Sequence, residues 1–407
     1  MRWFRKKSAT DKPVLPVSAD PKRRKRNIAL GIVAVVVILG GLGLWKAGAL
    51  VGKISLGNGS FFEDVFKALP GVDAKLDGEE EGRINIALLG MRGEHVEGGG
   101  LLADTIMVLS IHPKQGEGDQ SRASLVSIPR DLYVTVPDTS DKQKINAVHF
   151  YGEEKGKGKG MEYMKRILSE VTGQPIHYAV TINFKGFTDL VDALGGVTVH
   201  LDQPFEEGVQ FREPKVCDPY VFTEPAIDPT TKQQMYEYKY YTRKDGTRHA
   251  SPSAAYPLCY NKDVECGGIF KLPAGDSTLD GETALCYARA RATSNDFERA
   301  KRQQEVIKDI KARMLSVGTF TDFSRINGLL DSLGDNVRTD MEGWEMKRMF
   351  ELYPRFGDAE LKQKVLDTSD EGLLYFPDKD LYPGAGSIIL PRGDNYDRIH
   401  ELFRSLP

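Results

Sequence analysis

The sequence predicts an α/β sandwich behind a single membrane-crossing helix, and three observations carry that expectation. Strand-like and helix-like segments alternate from residue 84 to residue 201, the rhythm of a sheet covered by helices. An uncharged apolar run at 28–45 reaches Leu50 if Lys46 snorkels, which is long enough to cross a bilayer. A helical stretch ending near residue 315 carries arginine and glutamine on the face that should be buried.

At 407 residues the chain has room for one large or two modest domains. A net charge of −3 argues against a general nucleic-acid binder, but the charge is unevenly placed. Residues 1–26 hold ten Lys and Arg opposed only by Asp11 and Asp20. Such a block before an apolar run places the N-terminus in the cytoplasm and everything after about Gly52 outside. A cleaved signal peptide would have a shorter basic region and a polar small-residue exit. So 1–27 reads as a cytoplasmic tail, 28–50 as a transmembrane helix and 51–82 as a juxtamembrane linker. In the linker Phe61, Phe62, Val65, Phe66 and Leu69 are spaced as a short amphipathic helix. Cys217, Cys259, Cys266 and Cys286 fit an oxidising exterior. The first three share an irregular region, which favours a disulfide there, while Cys286 in its apolar context reads as a buried thiol. No CxxC or HExxH pattern occurs, so no zinc site is expected.

Past the linker, 84–89 is a short apolar strand running into a glycine-rich loop that includes Gly98, Gly99 and Gly100. Asp104 opens the strand 106–112, as a ligand for metal or substrate or as a turn residue. A second strand, 123–128, stops at Pro129, and Arg130 projects from its end, where open α/β sheets bind ligands. The Gly/Lys-rich stretch 152–160 lacks the GxxxxGK[ST] order and reads as a surface loop. Helical spacing at 161–171, a strand at 178–183, a helix through Phe184, Phe187, Leu190, Val191 and Leu194, and a strand at 197–201 continue the alternation. Residues 203–268, rich in Pro, Tyr and Lys, break the rhythm and read as an insertion folded over the sheet. Order resumes at 270–279, and a helix opening at 280–285 leads to Arg289 and Arg291. The main domain is thus 83–318 with its insertion, and 319–407 packs on it, with helices at 344–352 and 396–403 and a strand-like 387–390.

The stretch 285–304 organises the rest. Ser294 or Asn295 caps a helix running to about Leu315. On a wheel at about 100° per residue, Ala300, Val306, Ile307, Ile310 and Met314 form an apolar stripe, and Arg299 and Gln303 fall on it. Burying a guanidinium without a partner is costly, so the first turns line a polar, anion-holding cavity or else a structural ion-pair network. Arg289 and Arg291 can converge there, and the planar guanidinium fork suits phosphate.

These pieces together resemble one family, the LytR-CpsA-Psr proteins. The resemblance is carried by Ala103-Asp104-Thr105-Ile106-Met107, Ser127-Ile128-Pro129-Arg130-Asp131, Lys144-Ile145-Asn146-Ala147 and Gly195-Gly196-Val197. It continues in Leu279-Asp280-Gly281-Glu282-Thr283-Ala284-Leu285, Tyr287-Ala288-Arg289-Ala290-Arg291 and Asp296-Phe297-Glu298-Arg299-Ala300-Lys301-Arg302-Gln303-Gln304. It implies an α-β-α fold and an enzyme at the cell membrane. That enzyme moves a glycopolymer from a polyprenyl-pyrophosphate carrier to peptidoglycan through a phosphodiester. Carried over, Arg130, Arg289, Arg291, Arg299 and Gln303 would hold the pyrophosphate, Asp104 would bind Mg²⁺, and an apolar groove would take the isoprenoid. One departure stands out. Where the family carries an Asp-Ser-Arg-like triplet whose Asp helps hold the metal, this chain reads Gly90-Met91-Arg92-Gly93-Glu94. The second metal carboxylate is therefore missing, or supplied by Glu94 or Glu97.

Phosphoryl transfer asks a protein mainly for positioning and charge neutralisation. Four arginines with one metal meet that demand without a covalent nucleophile, with Asp104 or Asp131 as base, and no GxSxG elbow is present. The same set suits a lipid-pyrophosphate pyrophosphatase with water as acceptor. A non-catalytic envelope regulator or binding protein is the reading from another class.

Overall fold

The computed structural model describes residues 74–94, 99–114, 116, 119–208, 265–291, 294–316 and 333–406, with the backbone of three strands inside 209–264. The basic tail, the expected membrane span and residues 51–73 of the linker lie outside the described residues. No described helix is long and apolar enough to cross a membrane.

In chain order come β1 (Ile84–Met91), β2 (Thr105–His112), β3 (Arg122–Ser127), a ribbon of β4 (Tyr133–Thr135) and β5 (Lys142–Lys144), then α1 (Val148–Lys155) and α2 (Lys159–Thr172). Next are β6 (Tyr178–Asn183), α3 (Phe184–Ala193), β7 (Val197–Leu201), β8 (Phe205–Glu207), β9 (Val216–Ile227), β10 (Gln234–Tyr240) and β11 (Tyr256–Tyr260). They are followed by β12 (Phe270–Leu272), β13 (Gly275–Leu279), α4 (Gly281–Arg289) and α5 (Asp296–Ser316). The chain closes with β14 (Val337–Thr339), α6 (Gly343–Leu352), β15 (Leu361–Val365), β16 (Leu374–Tyr375), β17 (Leu390–Pro391) and α7 (Asp397–Ser405).

Six strands form one mixed sheet in the order β14-β6-β1-β2-β3-β15. β1 pairs antiparallel with β2 and parallel with β6, while the edge strand β15 runs parallel to β3. Nearly every residue of β1 is buried, because helices cover both faces. On one face Ala87, Leu89, Ile106, Val108 and Val126 pack with Met164 and Leu168 of α2 and Phe403 of α7 in a continuous apolar core. On the other, Leu88, Met107, Val180 and Ile182 turn toward α3, α4 and α5, and there the layers enclose a cavity. The region after residue 319 does more than pack on the domain, since it supplies both edge strands, β14 and β15.

Three local readings change. The stretch 152–160 is not a surface loop. Gly152 and Gly160 belong to α1 and α2 and are both buried. A Cβ on Gly152 would lie 2.6 Å from the Gly160 Cα, so the absent side chains let the helices meet. The Glu153 carboxylate accepts from Gly158 N at 3.1 Å and Gly160 N at 3.0 Å. These amides are satisfied within the chain instead of by an anion. Cys286 is not a thiol but is bridged to Cys266, which ties the end of the insertion to α4. The insertion has its own antiparallel sheet, β10-β9-β11, whose register sets Cys217 opposite Cys259.

α5 is locked to the sheet by one buried side chain. Gln304 Nε2 donates to Ser127 Oγ at 2.8 Å, Lys364 O at 2.8 Å and Leu125 O at 3.2 Å. Gln304→Leu keeps the bulk and strands these acceptors, so the expected cost is about 2–3 kcal/mol, read as a lower denaturant midpoint with unchanged m-value.

A second group on α5 sets a pH dependence. Asp309 has a buried carboxylate oxygen without a hydrogen-bond partner. Burial, then Glu305, push its titration up to about 6, with Lys308 opposing. A folded value above the unfolded one means stability is fullest below about pH 4 and is lost as pH rises through about 6. Asp309→Asn is therefore expected to raise the unfolding temperature at pH ~8 and to leave it unchanged at pH ~4.

Candidate active site

The register of the sheet builds the first half of the site. β2 and β3 pair antiparallel with Met107 opposite Ser127. Carried past the strand ends, that register sets Asp104 beside Arg130. Arg130 Nη1 donates to Asp104 Oδ1 at 2.7 Å. Arg92, just beyond β1, brings its Nε to 3.7 Å from Asp104 Oδ2. Between them Gly90 keeps the sheet surface low, since a Cβ there would lie 2.9 Å from the Thr105 Cβ.

The second half comes from α4, α5 and the turn joining them. Asp280 caps α4 by accepting from Thr283 N at 2.9 Å, and Gly281 lets its first turn press on α3, where a Cβ would meet Thr188 O at 2.3 Å. Arg289 thus ends α4 with its guanidinium 4.6 Å from the centre of the Phe184 ring, a cation–π contact. Of the two cap candidates, Asn295 is the one used, accepting from Phe297 N and Glu298 N at 2.9 Å each. Arg302 is structural. It donates to Ala290 O and to Ser294 Oγ and stacks 5.0 Å over Phe205, fixing the turn that presents Arg289 and Arg291.

The two halves meet across Asp296. Its Oδ1 lies 3.0 Å from Arg299 Nη1 and 3.4 Å from Arg291 Nη1, and its Oδ2 lies 3.8 Å from Arg130 Nη2. Arg299 Nη2 also reaches Asp104 O at 3.5 Å, and Gln303 Nε2 donates to Ala288 O at 3.2 Å. Five guanidinium groups, those of Arg92, Arg130, Arg289, Arg291 and Arg299, line one cavity, with Asp104 and Asp296 as the acidic partners of the cluster. The excess of positive charge favours an anion.

Burial sharpens that preference. Arg299 is only 9% exposed. Burial pushes its titration down to about 10, Asp296 working against this and Arg130 and Arg291 with it. Arg130 moves the other way, because Asp104 and Asp296 outweigh the effect of its own burial. Asp296, although burial opposes ionisation, is held below the usual carboxylate range by Arg299, Arg130 and Arg291. Arg130 Nε and Arg299 Nε are buried without a hydrogen-bond partner.

The cavity measures about 460 Å³. Behind the arginines its walls are apolar: Leu88, Met107, Val180 and Ile182 from the sheet, Phe187 and Leu190 from α3, and Val306, Ile307, Ile310 and Met314 from α5. The stripe read from the helix wheel therefore faces the cavity, apart from Ala300. On the other side of Arg92, Asp104 and Arg130 lies a polar cavity of about 630 Å³, reached by Asp131, Tyr133, Lys144 and Asn146. Lys144 Nζ donates to Asp131 Oδ1 at 2.7 Å. Of the expected site residues, Asp104, Arg130, Arg289, Arg291, Arg299 and Gln303 all border the first cavity. Arg92 and Asp296 join the site beyond the residues that the sequence points to. The i,i+3 spacing of Asp296 and Arg299 at a helix start was the available signal for one, and nothing periodic marks Arg92.

Among the described residues the donor set does not fit a resident divalent cation. Magnesium takes oxygen ligands in near-octahedral geometry, yet both Asp104 oxygens face guanidinium groups. Glu94 is bonded to Arg338 on β14, and Glu97 lies outside the described residues. Among the described residues no group of three His, Cys, Asp or Glu comes together.

The LytR_cpsA_psr family model matches residues 63–381. A polyisoprenyl-teichoic acid–peptidoglycan teichoic acid transferase, TagU of Oceanobacillus iheyensis, is 27% identical over 277 residues, covering 68% of this chain and 64% of that protein. The cell wall biosynthesis protein LcpA of Corynebacterium glutamicum is 26% identical over 355 residues, 79% of this chain and 55% of its own length. The chain thus spans less than two thirds of these relatives. A Streptococcus agalactiae crystal structure shares the fold with a TM-score of 0.52 at 19% identity, covering 82% of this chain and 90% of that one. An Enterococcus faecalis structure titled a transcriptional regulator gives 0.50 at 20%, covering 81% and 89%. The chain belongs to the LytR-CpsA-Psr family.

Proposed function

We propose that this LytR-CpsA-Psr protein transfers a glycopolymer phosphate from a polyprenyl-pyrophosphate carrier to peptidoglycan, forming a phosphodiester. One observation carries the reading: a cavity with apolar depths opens onto five guanidinium groups. A molecule that matches both ends is a lipid diphosphate. The TagU relative is named for the transfer of polyisoprenyl-linked teichoic acid to peptidoglycan, and LcpA for cell wall biosynthesis.

The isoprenoid lies along Val306, Ile307, Ile310 and Met314, and the diphosphate meets Arg130, Arg289, Arg291 and Arg299, with Gln303 beside them. The acceptor hydroxyl approaches from the polar cavity and attacks the phosphorus nearer the sugar. An acceptor O–P bond forms, the bridging P–O bond breaks, and polyprenyl phosphate leaves. Charge gathers on the bridging oxygen and the departing phosphate, where fixed guanidinium groups stabilise it without reorganising. Asp131, at the edge of the polar cavity, takes the hydroxyl proton. The polar cavity, about 630 Å³, has room for a large hydroxylated acceptor. The expected tail and span, 1–27 and 28–50, would hold this site outside the membrane beside both substrates.

The test is incubation of the full chain in detergent with a polyprenyl-pyrophosphate oligosaccharide and peptidoglycan fragments. A phosphodiester-linked adduct is the expected product. Release of sugar phosphate without an adduct would make the protein a pyrophosphatase, and tight binding without turnover a binding protein.

A further inference from the structure

We propose that Asp104 holds two guanidinium groups in place of a divalent cation, so that the diphosphate is gripped by arginine without a resident metal. The inference rests on the lipid-diphosphate reading above for its ligand, and on the carboxylate partners for its content. Each described carboxylate that borders the site already has cationic neighbours. Asp104 has Arg130 at 2.7 Å and Arg92 at 3.7 Å. Asp296 has Arg299, Arg291 and Arg130. Asp131 has Lys144 at 2.7 Å and Arg130 at 3.8 Å. Glu94 is turned away toward Arg338.

The loop after β1 explains the change. Gly90 and Met91 at the end of β1 offer no carboxylate, and among the described residues that follow them Arg92 is the side chain that reaches Asp104. Among the described residues, a doubly charged ion at Asp104 would sit against two guanidinium groups with a single side-chain ligand, a poor exchange for its hydration shell. Two guanidinium groups, Arg130 hydrogen-bonded to Asp104 and Arg92 ion-paired with it, neutralise the same phosphate charge and add directed donors. Asp104 is then a positioning residue that aims Arg92 and Arg130.

The experiment has two independent readouts on the full chain in detergent micelles. Mn²⁺ titration followed by electron paramagnetic resonance, without lipid, is expected to show no stoichiometric site. Farnesyl diphosphate, as the probe, is expected to bind with an affinity that differs by less than about twofold between EDTA and Mg²⁺ buffers. Asp104→Asn is expected to change that affinity by the same factor in both buffers, and Arg92→Gln to weaken it in both. One Mn²⁺ per chain, lost in Asp104→Asn, would overturn the proposal. So would an affinity loss of about tenfold or more on adding EDTA. A probe that binds in neither buffer sinks the lipid-diphosphate reading, while the manganese spectrum still decides the metal question.

Discussion

Arg299→Ala is expected to lower kcat/KM for glycopolymer transfer by about 10²–10³-fold, or roughly 3–4 kcal/mol, while the thermal midpoint stays close to that of the parent. The two halves of this prediction have one origin. Arg299 is the most buried guanidinium of the cluster at 9% exposure, held on the first turns of α5, where a helix that needed only burial would carry an aliphatic side chain. It sits among like charges, Arg130 and Arg291, which together with burial depress its titration to about 10. Its removal relieves that repulsion and the cost of burying a charge. Asp296 is not orphaned, because Arg291 and Arg130 remain at 3.4 and 3.8 Å. The folded state therefore loses little. The transition state loses a donor that is already in place and largely shielded from water, where a charged hydrogen bond is worth most. Arg299→Lys keeps the charge but not the fork and should fall between the two. Steady-state transfer assays paired with thermal unfolding decide the matter. Activity within about twofold of the parent, or a collapsed fold, would remove Arg299 from the catalytic cluster.

The cluster was legible where chemistry and period reinforce each other. Arg299 and Gln303 stood out because they interrupt an apolar stripe, and that stripe faces the cavity as read. β6 and β7 have the bounds their apolar alternation gives. What stayed hidden depends on partners distant in sequence. That Asp296 gathers Arg130 follows from docking α5 against the end of β3, which no local pattern encodes. β14 and β15 are short strands whose place at the sheet edges is set by pairing with β6 and β3 across more than a hundred residues. Cys286 read as a buried thiol because its neighbours are apolar, and its bridge to Cys266 is a fact of spatial proximity. The stretch 152–160 misled for another reason. Glycine and lysine signal a loop by composition, but Gly152 and Gly160 are where two helix backbones touch.

The cavity behind the arginines yields the second large effect. Ile307→Glu is expected to weaken binding of a long-chain polyprenyl diphosphate by at least about 30-fold, some 2 kcal/mol, and to leave inorganic pyrophosphate binding unchanged. Ile307 lies one turn beyond Gln303 on the wall of α5, between the arginines and the deeper Ile310 and Met314. A lipid chain that runs from the diphosphate toward Met314 must pass it. A carboxylate there either stays hydrated and keeps water in the channel or is desolvated against hydrocarbon, and both outcomes disfavour the chain. Each isoprenoid unit beyond Ile307 then loses apolar contact, so the penalty should grow with chain length from a short prenyl diphosphate to a long one. Ile307→Leu conserves volume and polarity and should stay within about twofold at every length. An equal loss for inorganic pyrophosphate and for the long-chain lipid would mean that the substitution disturbs the arginines instead of the channel. In that event the apolar cavity would not be the path of the isoprenoid.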